Sequence, residues 1–267
     1  MNRLNESVVN DNKGNLISFF TEKFGPLLLP SHNLDHHLRV WIYAAGIVTR
    51  LRERGFQFSN DFLSGLQIAC LTHDIGLAIE KGEGHGKASR LIASEYPLLN
   101  SLPAAVMEEV LFSVENHDRK DYIRVSPPES MLTILSVADD LDAFGFIGIY
   151  RYIEISLERG IAPASISEAV TANLAARYKH LIKVYGFLPD FISVHTIRYE
   201  IARDFFNPEG PFSASARIKT IKIIEEELLK KHKDITAIAA EYKSATDSDI
   251  AHFFRSLHKE LMMAEYV

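Results

Sequence analysis

The chain has one cysteine, one tryptophan, no surplus of positive charge and no long apolar run. A single cysteine, Cys70, excludes an intrachain disulfide. Its neighbours Ala69 and Leu71 predict a buried structural thiol, which fits a reducing compartment. No stretch approaches the roughly twenty apolar residues that a membrane-spanning helix needs. The first fifteen residues are polar and lack the apolar core of a signal peptide, so the expectation is a cytoplasmic protein with no membrane partner. A formal net charge of −6 gives no broad basic field, which argues against general nucleic-acid binding. A small anionic substrate would instead need a local cationic pocket. The glycines Gly82, Gly84 and Gly86 do not have the G-x-G-x-x-G spacing, and no strand precedes them, which argues against a dinucleotide fold.

Helical periodicity dominates, alternating strand-like runs are scarce, and the predicted fold class is all-α. A short helix in "NLISFFTEKFGPLLLP" ends around Gly25 and Pro26. From Leu34 to Arg52, Val40, Ala44, Ile47 and Leu51 share one face, with His36 four residues before Val40. Ser59, Asn60 or Asp61 can cap the next helix, whose Phe62, Leu63, Leu66, Ile68, Ala69 and Leu71 mark it as buried. That helix delivers His73 and Asp74, and Gly76 just beyond is expected to take a left-handed turn. A helix from Lys87 to Tyr96 stops at Pro97, and Pro103 opens another that runs to His117. After a loop, "DRKDYIRVSPPES", helix resumes at Met131 and carries Asp139 and Asp142. A long helix over 167–184, a helix-like "SVHTIRYEIARDFF" and two terminal helices, "RIKTIKIIEEELLKKHKDITAIAAEYK" and "DIAHFFRSLHKELMMAEY", complete the chain. The expected organisation is a segment 1–30, a core 31–160 and a C-terminal helical extension 161–267 packed on the core.

The chemistry concentrates at His73-Asp74. An imidazole beside a carboxylate offers one nitrogen and one oxygen ligand to a divalent metal. His36 upstream and Asp139 downstream are each embedded in apolar helical patterns, where an unpaired polar group is costly. Two imidazoles and two carboxylates suit manganese, iron, cobalt, nickel, zinc or magnesium. His37 is the rival of His36. The line from His36 ends on Leu51, whereas the line from His37 through Trp41 and Val48 ends on Arg52, which favours His36.

The order His, His-Asp, Asp, with the flanks "HNLDHHLRVW", "ACLTHDIGL" and "VADDLDAFGFIGIYR", resembles the HD superfamily of metal-dependent phosphohydrolases. The resemblance implies an HD-domain helical bundle with His36, His73, Asp74 and Asp139 as metal ligands. His85 and His117 match in order two further histidines of some HD proteins, which bind a second metal or contact phosphate, so one or two ions are implied. Asp74, His85 and His117 are the implied catalytic residues. Arg39, Lys87 and Arg151 are candidates for substrate phosphate, with Lys81 an alternative to Lys87, and Asp142 is a candidate partner for a ligating histidine. The implied activity is hydrolysis of a nucleotide or related small phosphate ester or anhydride by metal-activated water. Leu77 departs from the lysine typical of the cyclic-dinucleotide phosphodiesterase branch. A di-iron oxygenase on the same scaffold and a non-catalytic metal-stabilised binding module are the alternatives. The helix in "IKIIEEELLKKHK" either packs on the domain or joins two copies in a homodimer.

Overall fold

A computed structural model describes residues 6–24, 32–80, 82, 84–119 and 126–264, with side chains described from residue 14 to residue 262 among them. Lys81, Gly25 and Pro26 and much of the loop before Met131 lie outside the described residues. Every regular element among the described residues is helical, as the periodicity predicts. The chain divides into two compact units, Met1–Asp139 and Asp140–Val267.

In the first unit, α1 (Glu6–Phe24) buries Leu16, Phe19 and Phe20, one turn apart on a single face. Helix α2 (Leu34–Glu53) starts at Asn33, whose side chain accepts from the His36 N–H at 3.1 Å. This cap fixes His36 in the first turn. Val40, Ala44, Ile47 and Leu51 are buried along the predicted face. Helix α3 (Asn60–Thr72) is capped by Ser59, which accepts from the Phe62 N–H at 3.1 Å. Gly65 lets it come close to its neighbours: a Cβ there would stand 2.9 Å from Val106 and 3.1 Å from Met131.

A 3₁₀ turn (Ile75–Ala78) follows the His73-Asp74 pair. Here the structure corrects an expectation. The left-handed glycines among the described residues are Gly55, Gly82, Gly145 and Gly160, and Gly76 is not one of them. Gly76 is required by close approach instead, because a Cβ would lie 2.3 Å from both the His85 carbonyl oxygen and the Ser89 nitrogen. Helix α4 runs over His85–Ser94, so it begins at the histidine rather than at Lys87. Pro103 precedes α5 (Ala104–Asn116), and α6 spans Met131–Leu141.

The second unit contains α7 (Gly145–Glu158), α8 (Ile166–Tyr185), α9 (Pro189–Phe206), α10 (Ala214–Ile224), α11 (Ile235–Tyr242) and α12 (Ser248–Ala264). Phe144, Tyr150, Phe205, Phe206, Phe253 and Phe254 fill its interior. Its α6–α7 turn is pinned from two sides. Arg198 donates to the carbonyls of Leu141 and Phe144 at 3.0 Å each, and the Glu260 carboxylate accepts from the N–H groups of Phe146 (2.7 Å) and Ile147 (3.1 Å). The carboxylate thus serves as a remote cap for α7. Gly145, at φ +75°, fits there because a Cβ would stand 2.3 Å from Glu260.

The first of the two expected terminal helices is broken. After α10 the backbone widens into a π-helical segment (Glu225–Lys230), His232 turns left-handed at φ +53°, and Asp234 caps α11 by accepting from the Ala237 N–H at 2.7 Å. The physical reason is Glu227. Its carboxylate is fully buried and is met at 2.7 Å by Lys231, by Lys233 and by the Tyr242 hydroxyl, an arrangement a straight helix cannot provide.

Candidate metal centre

Five of the predicted residues converge from four helices of the first unit. His36 comes from the first turn of α2, His73 and Asp74 from the end of α3, His85 from the start of α4 and His117 from the end of α5. They form two groups of ligand atoms, each within 4.8 Å: His36, His73 and Asp74, and Asp74, His85 and His117. Asp74 is common to both, and its two oxygens are divided between them. Oδ2 lies 3.3 Å from His73 Nε2 and 3.7 Å from His36 Nε2. Oδ1 lies 3.0 Å from His117 Nε2 and 3.2 Å from His85 Nε2. Asp139, near the end of α6, places Oδ1 3.5 Å from His36 Nε2.

Backbone carbonyls orient the rings. His73 Nδ1 donates to the Cys70 carbonyl and His117 Nδ1 to the Val114 carbonyl, each at 2.8 Å, and His85 Nδ1 donates to the Gly82 carbonyl. A carbonyl oxygen can only accept, so in each ring Nδ1 carries a proton, and in the neutral form of the ring Nε2 keeps its lone pair. Three lone pairs therefore face one carboxylate. The Nε2 atoms also face one another, at 3.3 Å for His36 and His73 and at 3.4 Å for His85 and His117. Such an assembly is repulsive unless positive charge enters it.

The titration behaviour expresses the same demand. Burial opposes ionisation of Asp74, but His73 and the hydrogen bonds from His117 and His36 outweigh it and hold the carboxyl well below its usual range. Burial likewise works against a charged His85, yet the hydrogen bond and field of Asp74 push it up to about 9. His73 is raised by the same carboxylate against its own burial. The buried nitrogen and oxygen donors fit a metal of the borderline class.

Supporting contacts hold the cluster in place. The Ser89 hydroxyl accepts from the Gly76 N–H at 2.8 Å, and the Ser136 hydroxyl donates to the His117 carbonyl at 2.7 Å. At Gly86 a Cβ would meet the Glu115 carbonyl oxygen at 2.4 Å, so α4 and α5 touch backbone to backbone at the level of their histidines.

The other predicted residues are placed as follows. His37 belongs to neither ligand group, with Nδ1 3.2 Å from the Cys70 carbonyl and its ring against Phe20 and His73. Burial holds its pKa well below the usual value, so it is a neutral ring. Arg39 is buried in α2, and Lys87 is exposed in the first turn of α4. Arg151 and Asp142, both in the second unit, pair with each other at 3.0 Å. Arg198 spends its guanidinium on Leu141, Phe144 and Glu260. Cys70 is fully buried and its thiol is pushed up by that burial.

Sequence reading passed over His32, whose Nε2 lies 3.9 Å from Asp74 Oδ2. The signal was its place four residues before His36 in sequence. It also passed over Ser89, whose partner Gly76 is thirteen residues away.

Among protein families, the HD domain matches residues 33–143 of this chain. Neither the curated proteins nor the solved structures give a match.

Proposed function

Since residues 33–143 match the HD domain, a family made up mostly of metal-dependent hydrolases, we propose that this chain is a phosphohydrolase acting on a nucleotide or similar small phosphate. The observation that carries the reading is the convergence of three carbonyl-fixed imidazoles on the two oxygens of Asp74. In this reading His36, His73, Asp74 and Asp139 hold one divalent ion, and Asp74, His85 and His117 hold a second.

Ions so held supply Lewis acidity, a bound water of lowered pKa and neutralisation of phosphoryl charge. The chain's own residues do the rest. The Cys70 and Val114 carbonyls keep His73 and His117 as Nδ1–H tautomers, so both rings present lone pairs without reorganisation. Asp74 divides its oxygens between the two histidine pairs and fixes their separation. His85, at the more exposed edge, is placed to face substrate, and Lys87 two residues on adds positive charge in the first turn of α4, where the helix dipole favours an anion. Arg39 is a second candidate for phosphate.

The test is phosphate and pyrophosphate release from a nucleotide panel, using protein stripped of metal and reloaded with manganese. Metal-dependent release that disappears in His73→Ala is the expected result. A folded, metal-loaded protein that releases nothing refutes the reading. The same pair of ligand groups also suits two irons, so oxygen uptake by iron-loaded protein then becomes the measurement that decides for an oxygenase.

A further inference from the structure

We propose that His32 is a phosphate-binding residue of this centre, donating a hydrogen bond from Nε2 to a phosphoryl oxygen of the substrate; the inference rests on the phosphohydrolase reading. His32 stands immediately before the extended cap residue Asn33, outside α2, and the chain there brings its ring beside that of His36. Its ring meets that of His36 edge-on, with centroids 5.7 Å apart and planes at 83°. Nε2 points at Asp74 Oδ2 from 3.9 Å, too far for a hydrogen bond, so the ring borders the carboxylate without closing on it.

Exposure separates His32 from the ligands. Its side chain is 20% exposed, whereas those of His36 and His73 are 0% exposed. A substrate phosphate can reach the centre only from the solvent side, and there the His32 imidazole borders Asp74. Phosphoryl oxygens are acceptors, and an imidazole N–H directed toward the carboxylate they approach is a suitable donor for them.

The experiment compares His32→Ala and His32→Gln with the unmutated protein, all loaded with manganese. Bound manganese per chain is measured by elemental analysis after dialysis, and inorganic phosphate binding by titration calorimetry. The expected result is unchanged manganese in both variants, phosphate affinity about tenfold weaker in the alanine variant, and partial recovery in the glutamine variant, which keeps an N–H donor. Loss of manganese in His32→Ala overturns the inference by making His32 a metal ligand. Phosphate binding equal to that of the unmutated protein overturns it by removing the contact. Failure of the underlying reading has a separate signature: the unmutated, loaded protein neither binds phosphate nor hydrolyses any ester, which overturns both.

Discussion

Gly76 and Gly86 set the distance between α4 and the rest of the centre, and the effect of adding one methyl group to either follows from the geometry. At Gly76 the new Cβ would stand 2.3 Å from the His85 carbonyl oxygen and the Ser89 nitrogen, against the 3.4–4 Å of ordinary contact. Both obstacles are backbone, so no side-chain rotation relieves them, and the start of α4 must retreat by about 1 Å. His85 Nε2 now lies 3.2 Å from Asp74 Oδ1 and 3.4 Å from His117 Nε2. Metal–ligand distances tolerate only about 0.2 Å, so His85 leaves the second ligand group while His36, His73 and Asp139 keep their places. At Gly86 the Cβ would meet the Glu115 carbonyl oxygen at 2.4 Å and part α4 from α5, with the same consequence. Gly76→Ala and Gly86→Ala should each weaken binding of a second manganese at least about tenfold. The first ion should stay bound. Overpacking of about 1–3 kcal/mol should lower Tm by roughly 3–10 °C. Gly46 of α2 has nothing within 4 Å of its Cβ position, so Gly46→Ala is the control, expected to be neutral or stabilising by up to about 1 kcal/mol. Elemental analysis and calorimetric manganese titration, with a melting curve for each variant, provide the check. Two ions bound at unaltered affinity in both variants would refute the argument.

The second unit and the buried thiol yield further expectations. Glu260→Gln removes the charged acceptor from the Phe146 and Ile147 N–H groups and from Arg198, and should cost about 1–2 kcal/mol in urea denaturation; an unchanged midpoint would show that the remote cap does not stabilise α7. Burial opposes charge on Glu227, but Lys231, Lys233 and Tyr242 hold its pKa down, from 4.5 to about 2. Its folded-state pKa is depressed, so its stabilisation is fully present above pH about 4.5 and is lost as pH falls through about 2. With Lys231 48% exposed, that contribution is about 1–2 kcal/mol, and Glu227→Gln should flatten the loss of stability over this acid range. Cys70 should resist a disulfide-exchange reagent in the folded protein and react fully in denaturant; rapid reaction at neutral pH without denaturant would contradict its burial.

How far the sequence was legible depends on the range over which each feature is decided. Helices α2 and α3 follow from apolar spacing within a dozen residues, and Ser59, one of three candidate caps, caps α3, whereas the Asn33 cap of α2 was not singled out. The order His36, His73-Asp74, His85, His117 and Asp139 could be read because it resembles that of the HD superfamily, with apolar flanks around its members. The role of Gly76 could not, since a left-handed turn and a close approach both select glycine and only the partners, His85 and Ser89, distinguish them. The break at 231–234 was hidden because "EEELLKKHK" is made of strong helix formers, and the pull of Tyr242 and Lys233 on Glu227 is a tertiary effect. Ring orientation was equally hidden: a histidine's sequence neighbours do not reveal that a carbonyl three residues back takes its Nδ1 proton, as at Cys70 and Val114. His32 was equally hidden, since its approach to Asp74 is a tertiary contact across forty-two residues.

Because the carboxylate of Asp74 belongs to both ligand groups, two ions taken up as proposed would not load independently. A cation beside Oδ2 would leave Oδ1 a poorer donor, so the second ion would need a higher free concentration to bind. Uptake in that reading would pass through a one-ion form between two thresholds of free metal, and the scarcity of metal would act as a dial rather than a switch.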